Sequence, residues 1–272
     1  VVTLASGDTV VTLAPERGGG VLRFDWRGRA VFLGARANDP TPLGLASFPL
    51  VPWSNRIAHG RFGDVVLPCG LPGLDPPHAI HGHGWLASWD IVEARPDRAT
   101  LRYRHAADSW PWCYEARQQL VAFADGYVHR LALTNLDSRP MPAGLGLHPY
   151  FPRAGARIRT AFSGYWLTTP DCLPTTWVAL GADAPDLLAG GTIDTHFTGR
   201  QGPLLIEWPS HRLTIAVPDD MPSTVIYAPE NDNYFCVEPV SHETDSINRG
   251  GMRLLAPGER WATEVSFRVA AC

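Results

Sequence analysis

Alternation of apolar and polar residues is the strongest signal along the chain. Leu101, Tyr103 and His105 share one face, as do Leu213, Ile215 and Val217, while Val265, Phe267 and Val269 alternate with Glu264, Ser266 and Arg268. A period of two sends successive side chains to opposite faces of a sheet, so each stretch predicts a half-buried strand. Turn-forming clusters at 15–20, 123–126 and 256–259 punctuate these strands. Many short strands separated in this way predict an all-β fold, a large antiparallel sandwich or barrel. One helical stretch is suggested, at 185–189, too short to shape the architecture. No internal repeat, Ser/Gly linker or shift in charge divides the chain, so one domain over residues 1–272 is expected.

Composition narrows the class. The chain has 272 residues, of which 26 are Gly and 25 Pro. Gly costs a helix backbone entropy and Pro removes an N–H, so a coiled coil or helical bundle is excluded. A chain of this length hides roughly 73% of its extended surface and needs no disulfide or metal staple. The formal net charge is −4, with no block of either sign. Such a surface offers no electrostatic drive toward nucleic acid or anionic lipid, and neither is expected as a partner. Every basic residue is Arg, and the lack of Lys excludes a Schiff-base or P-loop lysine. Cys69, Cys113, Cys172, Cys236 and Cys272 are odd in number, scattered and never in a CxxC pair. This argues against a disulfide framework or zinc knuckle and for a reducing compartment, the cytoplasm. No apolar run approaches the ~20 residues of a membrane span, and the first residues lack a signal-peptide pattern.

Residue types suited to catalysis gather in five short segments: 52–62 (ProTrpSerAsnArgIleAlaHisGlyArgPhe), 78–85 (HisAlaIleHisGlyHisGlyTrp), 146–151 (GlyLeuHisProTyrPhe), 192–197 (ThrIleAspThrHisPhe) and 236–240 (CysValGluProVal). They supply an Arg, several His, an Asp and a Glu from nearly the whole chain. A sheet scaffold can assemble a site from such distant strands. HisGlyHis at 81–83 also invites a cupin-type metal reading. The next Glu, Glu93, lies ten residues beyond His83, too far to converge with it on one ion, so no metal is expected. No GxSxG elbow marks a serine hydrolase.

In their order the segments resemble the aldose 1-epimerase (galactose mutarotase) family. Its members carry AsnArgIle followed by GlyxPhe, then HisGly, HisxTyrPhe, an Asp near a Phe, and GluPro. Here these are residues 55–57 with Gly60 and Phe62, His81 with Gly82, residues 148–151, Asp194 with Phe197, and Glu238 with Pro239. The resemblance implies a galactose mutarotase-like antiparallel supersandwich with its site in a concave cleft. It also implies interconversion of the α and β anomers of a free aldose, without a cofactor. Glu238 would be the base at the C1 hydroxyl, His148 the acid at the ring oxygen, and His81 a second donor there. Arg56 and Asp194 would hold sugar hydroxyls, with Asn55 beside them.

One base and one acid on opposite sides suffice for the chemistry. A donating His must be partly charged, and Asp194 or Glu238 nearby is expected to raise its pKa. A Glu near its usual ~4.3 is ionised and ready as base. His78 and His83 stand where many galactose-type members have Asn and Gly, so both are candidate sugar contacts that bear on substrate preference. Trp53, Trp85 and Trp166 are candidates to stack on a sugar face, Trp85 foremost. Alternatives remain open. A hexose 6-phosphate would call on Arg56 and Arg61 for its phosphate, a sugar lactone would suit a related activity, and a non-catalytic carbohydrate-binding domain would use the same scaffold. The expected partner is a small sugar, and the chain is expected as a monomer or a homodimer paired through an edge strand.

Overall fold

The computed structural model describes residues 1–36, 38–70, 77–181 and 186–272. Nearly all regular structure is antiparallel strand, as the alternation predicts. Along Arg260–Ala271, Trp261, Thr263, Val265, Phe267 and Val269 are buried, while Arg260, Glu264 and Arg268 face solvent. Of the suggested helix at 185–189, residue 185 lies outside the described residues. Residues 186–189 form a turn in which the Ala189 N–H reaches Asp186 O at 3.1 Å and the Asp186 carboxylate accepts the Leu188 N–H at 3.0 Å. A short polar residue that binds backbone two positions on favours a turn over a helix.

Two large sheets and an N-terminal meander dominate the architecture, and among the described residues three two-stranded pairs stand beside them, including Arg56–Ile57 with Ala79–Ile80. The outer sheet runs Asp90–Ala94, Arg98–His105, Tyr114–Phe123, Gly126–Asn135, Arg260–Ala271, His211–Ala216, Leu204–Trp208, Arg157–Ile158. The cleft sheet runs Pro174–Ala179, Gly164–Thr168, Ile193–Thr198, Ser223–Ala228, Tyr234–Val240, Gly146–Leu147, Pro49–Leu50, and Tyr150–Pro152 also pairs with Tyr234–Val240. The meander comprises Val2–Ser6, Thr9–Ala14, Gly20–Trp26 and Arg29–Ala30. The turn at 123–126 joins two ten-residue strands of the outer sheet, paired from Tyr114↔Asn135 to Phe123↔Gly126. Gly126 has φ 152°, and a Cβ there would lie 1.9 Å from Phe267 O, so only glycine lets the next strand approach.

All three layers meet in one aromatic core. Phe32 of the N-terminal region contacts Phe24, Phe151 of the cleft sheet and Phe267 of the outer sheet, edge-on at 5.1–5.4 Å between ring centroids. Tyr127 stacks on Phe267 at 4.8 Å. Burial of each such ring contributes about 1.5–3 kcal/mol, and edge-to-face contacts add to that. This core holds the back of the cleft sheet rigid. Among the described residues no helix is long and apolar enough to cross a membrane.

Candidate active site

Strand Tyr234–Val240 places the site. On one side Val225 pairs with Glu238, and on the other Gly146 pairs with Val240 and Tyr150 with Cys236. The register between those two pairs puts His148 opposite Glu238. Cross-strand partners point to the same face of a sheet. His196, Val225, Glu238 and His148 therefore form one row, and Asp194, Tyr227, Cys236 and Tyr150 the next. His148 Nε2 lies 3.3 Å from Glu238 Oε1, with both side chains almost fully buried. Glu238 Oε2 is also buried and has no hydrogen-bond partner among the described residues.

The His148 ring is held between Phe48, stacked at 4.6 Å, and Tyr150, stacked at 4.8 Å. Its backbone N–H donates to Phe48 O at 3.0 Å. Ring and main chain are thus both anchored, which fixes where Nε2 points.

Asn55 and His81 form a second unit. The His81 N–H donates to Asn55 O at 3.0 Å, and the Asn55 N–H donates to His81 Nδ1 at 3.1 Å. An accepting Nδ1 leaves the proton of the neutral ring on Nε2. Asn55 and His81 both adopt left-handed backbone, with φ 57° and 64°. Non-glycine residues rarely do so, and such outliers cluster at functional sites. Asn55 Oδ1 accepts from Arg56 Nη1 at 3.2 Å, and Arg56 Nη2 donates to Asp194 Oδ2 at 3.1 Å.

A cavity of about 240 Å³ joins the two units, lined by Asn55, Arg56, His81, His148, Asp194 and Glu238. Drug-sized ligands occupy roughly 300–1,000 Å³, so this space suits one small molecule. Its wall also contains Tyr150 of the 148–151 segment, and Arg36, Tyr227 and Tyr234, which no motif marks. Tyr234 was within reach of sequence reasoning, because counting back by twos from Glu238 lands on it. Tyr227 enters only through its pairing with Cys236, and Arg36 from a loop with no motif. Arg36 sits 5.9 Å from the ring centroids of both Tyr150 and Tyr234 and is itself bound to Asp39 and Leu43 O.

Protonation differs from the sequence expectation. Burial pushes the His148 imidazole down to about 3, where a rise was expected. Burial, reinforced by the Asp194 charge and opposed by Arg56, holds the Glu238 carboxyl well above its usual range. His81 is driven well below its ordinary value, first by burial and then by His148 and Arg56. Removal from water outweighs the neighbouring charges, because a desolvated ion loses more than a partly screened neighbour returns. The two side chains expected as acid and base, His148 and Glu238, lie in contact with each other.

Three expected sugar contacts lie elsewhere. Trp85 is fully buried, donates from Nε1 to Gly82 O at 3.1 Å, stacks on Phe48 at 5.2 Å and lies nearly perpendicular to the His81 ring at 5.7 Å. It supports the site from behind. His78 is buried, with Nδ1 accepting the His59 N–H at 3.0 Å and Nε2 3.1 Å from Asp171. His83 points away, 3.2 Å from Tyr114 O–H and stacked on His105 at 4.3 Å. Gly82 makes this divergence possible: its φ is 71°, and a Cβ would sit 2.1 Å from Val51 O. Of the other tryptophans, Trp53 is buried against Trp110. Trp166 borders a small neighbouring recess with Arg56 and Asp194, under the Arg249 guanidinium at 4.2 Å. Arg61, considered for a phosphate, does not line the cavity.

Fold and cleft together define a galactose mutarotase-like antiparallel β-sandwich protein. The aldose 1-epimerase family profile matches residues 1–268, and the chain belongs to that family. YphB, an uncharacterized protein of Escherichia coli K12, is 30% identical over 289 residues, covering 99% of this chain and 98% of its own. A provisionally assigned aldose 1-epimerase of the same organism superposes with a TM-score of 0.91 at 27% identity, over 100% of this chain and 99% of that one. A galactose mutarotase-like protein of Clostridium acetobutylicum shares the fold, with a TM-score of 0.86 at 18% identity over 99% and 95% of the two chains. Family and fold support a mutarotase-type function.

Proposed function

We propose that this protein is a mutarotase that interconverts the α and β anomers of a free aldose by opening and reclosing the ring. The observation that carries this reading is the contact between His148 Nε2 and Glu238 Oε1 at 3.3 Å, on the wall of a cavity sized for one small molecule. The C1 hydroxyl oxygen and the ring oxygen are bonded to the same carbon. An acid and a base in contact therefore serve both.

Glu238 as carboxylate takes the C1 hydroxyl proton. The C1–ring oxygen bond breaks, its electron pair moves to the ring oxygen, and His148 protonates that oxygen. The aldehyde turns about C1–C2, and the steps reverse on its other face. The pair starts and ends with one proton. Burial favours that proton on Glu238, and its transfer to His148 gives the reactive form without changing the charge of the site. The His81 Nε2–H adds a second donor near the ring oxygen, while Asp194 accepts from and Arg56 donates to the remaining hydroxyls. The unpartnered Glu238 Oε2 fits a hydroxyl donor from the sugar.

A free sugar fits better than a phosphorylated one. Both cavity guanidiniums are already engaged, Arg36 by Asp39 and Arg56 by Asp194, and a phosphate calls for an uncommitted Arg fork. The thiols of Cys113, Cys172, Cys236 and Cys272 suit a reducing cytoplasm. A polarimetric or NMR exchange screen over galactose, glucose, arabinose, xylose, fucose and their 6-phosphates tests the reading. Acceleration of at least one free sugar is expected. Inactivity on all of them would move the assignment to sugar binding or lactone chemistry.

A further inference from the structure

Cys236 lies on the same face of the same strand as Glu238, two residues away, and pairs across to Tyr150. His148, Cys236 and Glu238 are all buried, and their ligand atoms lie within 4.8 Å of one another. The proposed reaction uses the imidazole and the carboxyl but gives the thiol no task. We infer that these three side chains form a binding site for a thiolate-seeking divalent cation of the zinc type, which occupies the acid and base and inhibits the enzyme.

The geometry fits the coordination chemistry. Zinc bonds of about 2.1 Å to nitrogen and oxygen, at a tetrahedral angle, place those two ligand atoms about 3.4 Å apart. His148 Nε2 and Glu238 Oε1 are already 3.3 Å apart. With a sulfur bond of about 2.3 Å the thiolate would sit about 3.6 Å from the other two ligand atoms, and since all three already lie within 4.8 Å of one another, closure moves Cys236 Sγ by no more than about 1.2 Å. The donor set of thiolate, imidazole and carboxylate selects zinc-like ions over magnesium or calcium, which prefer all-oxygen shells. Charge also balances. One Zn²⁺ displaces two protons, one from the His148–Glu238 pair and one from the thiol, and the buried site stays uncharged. Because His148 and Glu238 both line the cavity, water or a sugar hydroxyl would be available there to complete the tetrahedron.

A second group, His83, His105 and Asp108, has comparable separations but not the same fit. The His83 and His105 rings are parallel to within 3° and stacked at 4.3 Å, so their in-plane lone pairs do not converge on one ion.

This inference rests on the proposed function only for its inhibitory consequence, and binding is read separately. Purified wild-type protein is titrated with CoCl₂ and scanned for a thiolate-to-cobalt charge-transfer band, and mutarotation is assayed with ZnCl₂ or MgCl₂. The expected result is a stoichiometric band that Zn²⁺ abolishes, inhibition by Zn²⁺ but not Mg²⁺, and about tenfold or greater loss of zinc sensitivity in Cys236→Ser and Cys236→Ala. Absence of the band, or unchanged zinc sensitivity in both variants, overturns the site. If the Cys236 variants fail to fold, His148→Asn, which keeps every thiol, decides the matter: loss of the band upholds the site, and an unchanged band overturns it. A band in a protein that accelerates no sugar would uphold the site and overturn the mutarotase reading.

Discussion

His148 lies opposite Glu238 across neighbouring strands of the cleft sheet, with Nε2 3.3 Å from Oε1. The two groups lie within ion-pair distance of each other, and the proposed chemistry asks them to exchange one proton with the sugar. Removing either leaves only a donor or only an acceptor. Glu238→Gln and His148→Asn are each expected to slow mutarotation of the preferred sugar by about 100-fold or more while preserving the fold. Polarimetry returning near-wild-type rates for either variant would sink the assignment.

The pH profile should lack the limb an ordinary histidine would give. His148 is pushed down to about 3 from 6.5, and Glu238 is held well above its usual range, so the pair keeps one proton between those limits. kcat/KM is expected to stay level as pH falls through 6.5 and to drop only near 3. On the alkaline side it falls once the pair loses its proton. A titration in kcat/KM near the ordinary histidine value would contradict this protonation scheme.

Trp85 backs Phe48 and His81 without touching the cavity. Trp85→Ala is expected to cost about 3–5 kcal/mol of stability through the space it leaves. Trp85→Phe, which retains a ring behind Phe48, should lower kcat with KM unchanged. A raised KM at constant kcat would instead mean that the indole binds sugar directly.

His129 offers a stability test outside the site. Its Nε2 contacts Gln118 Oε1 at 2.9 Å, and burial pushes the ring down to about 3. The unfolded chain takes up a proton here below about 6.5, whereas the folded chain refuses it until near 3. The stability contribution is therefore fully present above the unfolded value and is lost as pH falls toward the folded one. Between pH 7 and pH 5 this amounts to about 2 kcal/mol. Urea unfolding of wild type and His129→Gln at both pH values should show that much extra acid sensitivity in the wild type. Equal sensitivity in the two proteins would refute the linkage.

Gly82 separates a cleft-facing His81 from His83, which packs away from the cleft against His105 and Tyr114. Gly82→Ala forces a Cβ to within 2.1 Å of Val51 O at φ 71°. The expected result is a loss of more than about 1 kcal/mol in thermal or urea unfolding, together with reduced mutarotation as His81 shifts. Wild-type stability and rate in this variant would show that the close approach does not hold the loop.

Much of the scaffold was legible because its signals are local. The alternation in 260–271 and the turn cluster at 123–126 depend on neighbouring residues alone, and the strand and hairpin there follow directly. The motif order likewise singled out Asn55, Arg56, His81, His148, Asp194 and Glu238, which line one cavity. Trp85, His78 and His83, expected at the sugar from their places in the 78–85 segment, do not line that cavity. Left-handed backbone at His81 and the close approach at Gly82 send the three in different directions.

The sequence by itself determined the strand-rich character, the turns and the chemical types available for a site. Only the tertiary structure decided that Tyr227 and Arg36 join the cavity, that Glu238 and His148 touch, and that burial rather than charge governs their protons. Period and turn chemistry act over a few residues. Register, facing and desolvation depend on everything packed around a group, and most of those neighbours are distant in the chain.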